Sequence, residues 1–143
     1  MATLAHDPIP PAAAEWETWV RERLSLGAHE RVLELRPDPE IAWVSREPFD
    51  KVFALSVDPF ENGRRPDLKV LRLLLKPEGR AYLFLPPRGW RKAARAAERI
   101  AAMLWDAGLC VEEIGFAGME PGWAACVIGR TPSFERPTGS LLP

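Results

Sequence analysis

Residues 65–86 constrain the fold of this chain more than any other stretch. They read Arg-Pro-Asp-Leu-Lys-Val-Leu-Arg-Leu-Leu-Leu-Lys-Pro-Glu-Gly-Arg-Ala-Tyr-Leu-Phe-Leu-Pro. Pro66 and Asp67 are residue types that helix starts favour, and Lys76 would sit at the negative end of a helix dipole, so a helix is predicted over residues 67–75. Lys76-Pro77-Glu78-Gly79 supplies turn residues. Residues 80–85 are almost continuously apolar, the pattern of a strand covered on both faces. A helix that turns straight into a buried strand needs a sheet with helices packed on it.

The flanking segments supply the rest of that layer structure. Residues 1–14 are rich in Pro and Ala without any period and are predicted as a mobile arm. A helix is predicted over residues 12–26, with Trp16, Trp19, Val20 and Leu24 in one apolar stripe and Gly27 as its cap. A short strand over residues 31–35 follows. Arg36-Pro37-Asp38-Pro39-Glu40 is a stiff loop, because two prolines two apart forbid helix and strand interior alike. Residues 41–44 are a brief strand, residues 50–57 a second buried strand, and residues 58–66 a loop.

After residue 86 the longest helix is predicted over residues 90–107. Ala93, Ala97, Ile100, Met103, Leu104 and Ala107 face inward, and Arg91, Arg95, Glu98 and Arg99 mostly outward. Gly108 caps it. Residues 109–116 and 123–128 are an antiparallel hairpin around a turn over residues 117–122. Residues 131–143 read as a flexible tail. The organisation is therefore one domain over residues 15–130 between an arm and a tail.

Charge and composition narrow the function classes. Nineteen basic and 20 acidic side chains leave a net charge of -1, so the global basic field that general nucleic-acid binding wants is missing and nucleic acid is not the expected partner. No apolar run reaches the length of a membrane span, and no basic segment leads into an apolar core at the start of the chain. The expected location is the cytoplasm. The chain has no Gln and Asn62 as its only Asn, which suits a hot-growing source as well as it suits a GC-rich genome.

Several of these segments resemble class I S-adenosylmethionine-dependent methyltransferases. Glu30-Arg31-Val32-Leu33-Glu34-Leu35 is similar to that family's first strand. Pro48-Phe49-Asp50-Lys51-Val52-Phe53-Ala54-Leu55 is similar to its fourth. Leu-Lys-Pro-Glu-Gly-Arg at residues 75–80 resembles its turn into strand five, with Glu78 in place of the first glycine. Residues 104–130 resemble its closing hairpin. The resemblance implies a reduced Rossmann-like α/β sheet of about five strands, mostly parallel, with an antiparallel C-terminal hairpin and helices on its faces.

The departures from the family fall where its cofactor binds. After the first strand the family has a glycine-rich loop that lets backbone approach the cofactor. This chain has Leu35-Arg36-Pro37-Asp38-Pro39 there. The family's second strand, with the acid that holds the ribose, has no counterpart. The expectation is a degenerate methyltransferase-like protein without methyl-transfer activity, binding no cofactor and acting as a binding or assembly module. Loss of a neighbouring strand would leave the first strand at an edge, and such edges are covered. A homodimer or a partner protein is expected on that side.

The alternative is an active enzyme with an altered S-adenosylmethionine pocket. By the resemblance, Glu34, Arg36 and Ser56 would bind cofactor, and Asp58, in Ser56-Val57-Asp58-Pro59-Phe60, would position the acceptor. A second alternative is a nucleic-acid-associated protein using the face from Arg88 to Arg99 with Trp90. The commoner reading of that face is a solvated helix surface.

The remaining candidates read as structural. His6 and His29 have no partner at ligand spacing, and no metal site is expected. Cys110 and Cys126 fall on the two hairpin strands, where they could lie close together, and read as small buried residues. Trp105 and Trp123 are expected in the core, and Trp16 and Trp19 as cover for the sheet.

Overall fold

A computed structural model of the chain describes residues 11–35, 47–55, 68–120 and 122–132. Residues 1–10, 36–46, 56–67, 121 and 133–143 lie outside the described residues, and with them the prolyl loop, the brief strand over 41–44, the loop over 58–66 and most of the arm over 1–14 and of the tail over 131–143; residues 11–14, expected in the arm, are helical.

The buried strands assemble as their apolar runs require. β1 (Val32–Glu34), β2 (Phe49–Ala54) and β3 (Leu75–Arg88) run parallel, and β4 (Cys110–Met119) with β5 (Gly122–Arg130) forms the antiparallel hairpin, in the spatial order β1-β2-β3-β5-β4. This is the reduced α/β sheet that the resemblance implies. Strand alternation divides the core in two. On one face Val52, Ala54, Ala81, Leu83, Leu85, Ala125 and Val127 pack under α3 (Trp90–Asp106). On the other, Tyr82, Phe84, Cys126 and Ile128 pack under α1 (Pro11–Leu24), with Phe53 against them.

The long helix follows its sequence pattern closely. Ala93, Ala96, Ala97, Ile100 and Leu104 are buried, while Arg91, Lys92, Arg95, Glu98 and Arg99 are exposed. It ends as Gly108 suggests. Gly108 takes φ +92, its N–H donates to the Trp105 carbonyl, and the Leu109 N–H donates to that of Leu104. These are the two closing bonds of a glycine-capped helix end.

α1 ends differently from its expectation. Its last residue is Leu24, not residue 26, and Gly27 is not its cap. Ser25 takes the left-handed turn, at φ +46. The buried Lys51 of β2 donates from Nζ to the Leu24 carbonyl at 2.7 Å and the Ser25 carbonyl at 2.9 Å, and pairs with Glu30 Oε1 at 3.0 Å. A cation from the sheet thus neutralises the negative end of this helix dipole. Glu30 also accepts from the Gly27 N–H, so Gly27 shapes the following turn.

The opening stretch is reorganised most. The helix predicted over residues 67–75 is a 3-10 turn, Leu68–Val70, and a single α-turn, α2 (Leu71–Leu74). Leu75 leaves it because its backbone is extended and registers with Phe49. The next paired residues are Lys51 and Arg80, so residues 76–79 bulge out opposite Asp50. The predicted turn survives as this bulge within β3. Glu78, where the resemblance expects glycine, sits at φ +65 in the region that favours glycine. Thr131, beyond β5, closes the bulge: its N–H donates to the Gly79 carbonyl and its hydroxyl to that of Lys76.

Asp50 ties the amino ends of the parallel strands together. Its carboxylate accepts the Arg31 N–H at 2.8 Å and the Lys76 ammonium at 3.2 Å. These bonds, in that order, hold its pKa below the ordinary value. Glu30 is lowered by the Gly27 N–H and by Lys51, and Glu112 by Arg80. A carboxylate depressed in the folded state is more readily protonated in the unfolded chain, so acid favours unfolding. That stability is complete above the unfolded carboxylate range and is lost as pH falls through the depressed values. We expect a urea midpoint that is steady from about pH 7 to 5 and falls below about pH 4. Asp50→Asn should lower the midpoint at neutral pH and make the acid decline shallower. An acid decline as steep as that of the parent would remove Asp50 from this account.

Other expectations are corrected by packing. Trp105 is 68% exposed and Trp123 41%, so neither is core. Trp105 falls on the outer face of α3, and Trp123 stands near the hairpin tip. Cys110 is exposed and Cys126 buried. They are not neighbours either, since Cys110 registers with Arg130 and Cys126 with Gly115. The hairpin strands run on to Met119 and from Gly122, which shortens the predicted turn. Trp16 and Trp19 do cover the sheet, edge-on to Phe84 at 6.1 and 5.9 Å.

Candidate functional site

In an open α/β sheet the ligand crevice lies beyond the carboxyl ends of the parallel strands. Here those ends are Glu34 of β1, Ala54 of β2 and Arg88 of β3. Glu34 is half-buried and registers with Phe53, and the next residue, Leu35, donates its N–H to the Phe53 carbonyl at 2.7 Å. The first candidate is therefore at the sheet edge where the sequence places it. Arg36, Ser56 and Asp58 lie outside the described residues.

A cofactor with a nucleoside and a charged sulfonium needs backbone that lets it come close. Among the described residues, the glycines in tight quarters admit this chain's own atoms instead. Gly122 lies against the Arg88 carbonyl, and Gly108 against the Arg72 side chain. Neither stands at the end of β1 or β2. The segment that follows β1 in the sequence, Arg36-Pro37-Asp38-Pro39, holds no glycine either.

An aromatic cluster that the sequence reading missed lies past the carboxyl end of β3, on the side of the sheet away from β1. Trp90 begins α3, Phe116 lies on β4 and Trp123 on β5. Trp90 meets Phe116 at 4.8 Å and Trp123 at 5.3 Å between ring centroids, both near edge-to-face. Its sequence signal is modest: each ring follows a glycine, in Gly89-Trp90, Gly115-Phe116 and Gly122-Trp123. Only the antiparallel return of β5 beside β3, with Trp123 opposite Arg88, brings them together.

A cleft of about 430 Å³ opens on the α1 face, lined by Glu22, Arg23, Arg80, Tyr82, Glu112, Glu113 and Ile128. Its cations are engaged within the protein. Arg23 pairs with Glu113 at 2.6 Å and Arg80 with Glu112 at 2.7 Å. Cys126 lies deeper on this face. Burial pushes its thiol up to about 12, although Arg23 pulls the other way, so it is not a nucleophile at neutral pH. Among the described residues no three of His, Cys, Asp and Glu are grouped to hold a metal ion. No helix described is long and apolar enough to cross a membrane.

No family model matches the sequence, and no curated protein matches it. Among solved structures, the chain is similar to a magnesium protoporphyrin IX methyltransferase from Synechocystis PCC 6803 with bound S-adenosylmethionine, at 16% identity and TM-score 0.44, over 86% of this chain and 56% of that one. It is also similar to an O-methyltransferase family protein from Burkholderia thailandensis, at 14% identity and TM-score 0.47, over 85% of this chain and 57% of that one. The chain thus spans little more than half the length of these structures.

Proposed function

We propose that this chain is a reduced methyltransferase-like scaffold that works as a binding or assembly module and not as a methyl-transfer enzyme. The observation that carries the reading is the position of β1 at the end of the sheet order, with three residues and one strand neighbour among those described. The Arg31 carbonyl and the Leu35 N–H bond toward β2. By strand alternation the Val32 N–H and C=O point the other way, toward the open side. Such an edge is a template for another strand, and a second copy of this chain or a partner protein is its occupant.

Two measurements test this. Light scattering on the purified chain should give the mass of a dimer, and Val32→Pro, which deletes the outward N–H, should shift it to monomer. A monomer mass for the parent protein argues against self-association. Titration with S-adenosylmethionine in a calorimeter should give no heat of binding. Micromolar affinity would instead favour the second reading, an altered cofactor pocket, which the place of Glu34 at the carboxyl end of β1 supports.

A further inference from the structure

The aromatic cluster continues into a basic helix face. Between residues 88 and 99 there are five basic side chains and one acid, Glu98. Arg91, Lys92, Arg95 and Arg99 are all exposed along the first turns of α3, directly after Trp90. At about 1.5 Å per residue, Arg91 to Arg99 covers about 12 Å of surface. The acids that bring the whole chain to -1 include Glu22, Glu112 and Glu113, which line the cleft on the opposite face of the sheet. The near-neutral net charge therefore does not preclude a cluster of exposed cations on α3, with Glu98 among them and Glu120 at the hairpin turn as described acids of this region.

We propose that the Trp90–Phe116–Trp123 cluster and the adjoining Arg91–Lys92–Arg95 face bind single-stranded nucleic acid. Trp90 is 50% exposed and Trp123 41%, so both keep ring surface open to solvent although they meet edge-to-face. An exposed indole face is a platform for an unpaired base of any identity, and the cations beside it attract the sugar–phosphate backbone. A purely acidic surface would use the cations and leave the rings without partners. A paired duplex would offer phosphates but no free base faces. The combination selects the single strand, without sequence preference and with strong dependence on salt.

Fluorescence anisotropy of a labelled oligothymidylate is the direct test. Binding should weaken with salt, with a slope of log K on log salt near about -2 if three cations meet phosphates. Trp90→Ala should weaken it about fivefold or more, and Trp90→Phe should restore most of the loss. Arg91→Glu with Arg95→Glu, at exposed positions, should abolish binding and leave the melting temperature unchanged. Three results overturn the proposal: no anisotropy change with the folded parent protein, equal binding by Trp90→Ala, or competition by poly-glutamate as strong as that by unlabelled oligothymidylate. The last would mark an acidic protein as the partner.

Discussion

Phe84→Ala lowers the stability of this domain by about 3–5 kcal/mol, read as a lower urea midpoint. Phe84 is fully buried on β3 and is the largest fully buried side chain in the sheet. Trp16 and Trp19 meet it edge-on from α1, and Tyr82 stacks beside it at 6.4 Å. Removing the ring leaves a cavity between α1 and the sheet and takes away three aromatic contacts, each worth about 0.5–1.5 kcal/mol beyond area burial. The loss should concentrate in α1, which rests on one small cluster. Amide exchange over residues 16–24 should accelerate more than exchange in α3, whose core lies on the opposite face. A uniform acceleration of both helices, or a loss under about 1 kcal/mol, would show that Phe84 does not anchor α1.

Lys51→Met has the second largest effect, a loss of about 2–4 kcal/mol. Methionine keeps most of the aliphatic stem in place and removes the ammonium, so packing is separated from charge. The Leu24 and Ser25 carbonyls then lose their shared donor, and Glu30 its cation. Exchange at the last turn of α1 should rise, with the interior of β2 less affected. Lys51→Arg should not rescue, because the planar guanidinium does not reproduce the compact ammonium between two carbonyls in a nearly closed space. A change of under about 0.5 kcal/mol in Lys51→Met would remove the cap from the account of α1.

The contrast between the two helix ends shows what could be read in advance. Gly27 and Gly108 both follow an apolar helical pattern, and both look like caps. Gly108 is one, because its positive φ and the bonds from residues 108 and 109 close the helix locally. Gly27 is not, because a lysine 27 residues beyond Leu24 supplies the donor for the last carbonyls, and the helix stops early. A cap made within four residues is visible in the sequence. A cap delivered across the fold is not.

The candidate site divides in the same way. The position of Glu34 at the end of β1 was legible because the short apolar strand marks its own end. The Trp90, Phe116 and Trp123 cluster was not, because its members are 26 and seven residues apart and reach one edge only through strand pairing. Trp123 looked like core because large aromatic residues on a short strand usually are. Its register opposite Arg88 at the end of the hairpin puts it at the rim instead.

Residues 65–86 carry both lessons. Their apolar run fixed β3 as the middle of the sheet, because such a strand can be covered only on two faces. Their turn residues marked where the chain must bend. The direction of that bend came from elsewhere. Leu75 extended to reach Phe49, Lys76 turned to Asp50, and Thr131 closed the bulge from the far end of the chain. Local patterning was enough to mark the apolar face of α3 and the buried strands β2, β3 and β5, since periodicity and propensity act within a few residues. The end of α1, the bulge and the aromatic rim needed partners 26 to 55 residues away, and such contacts exist only once the sheet has formed.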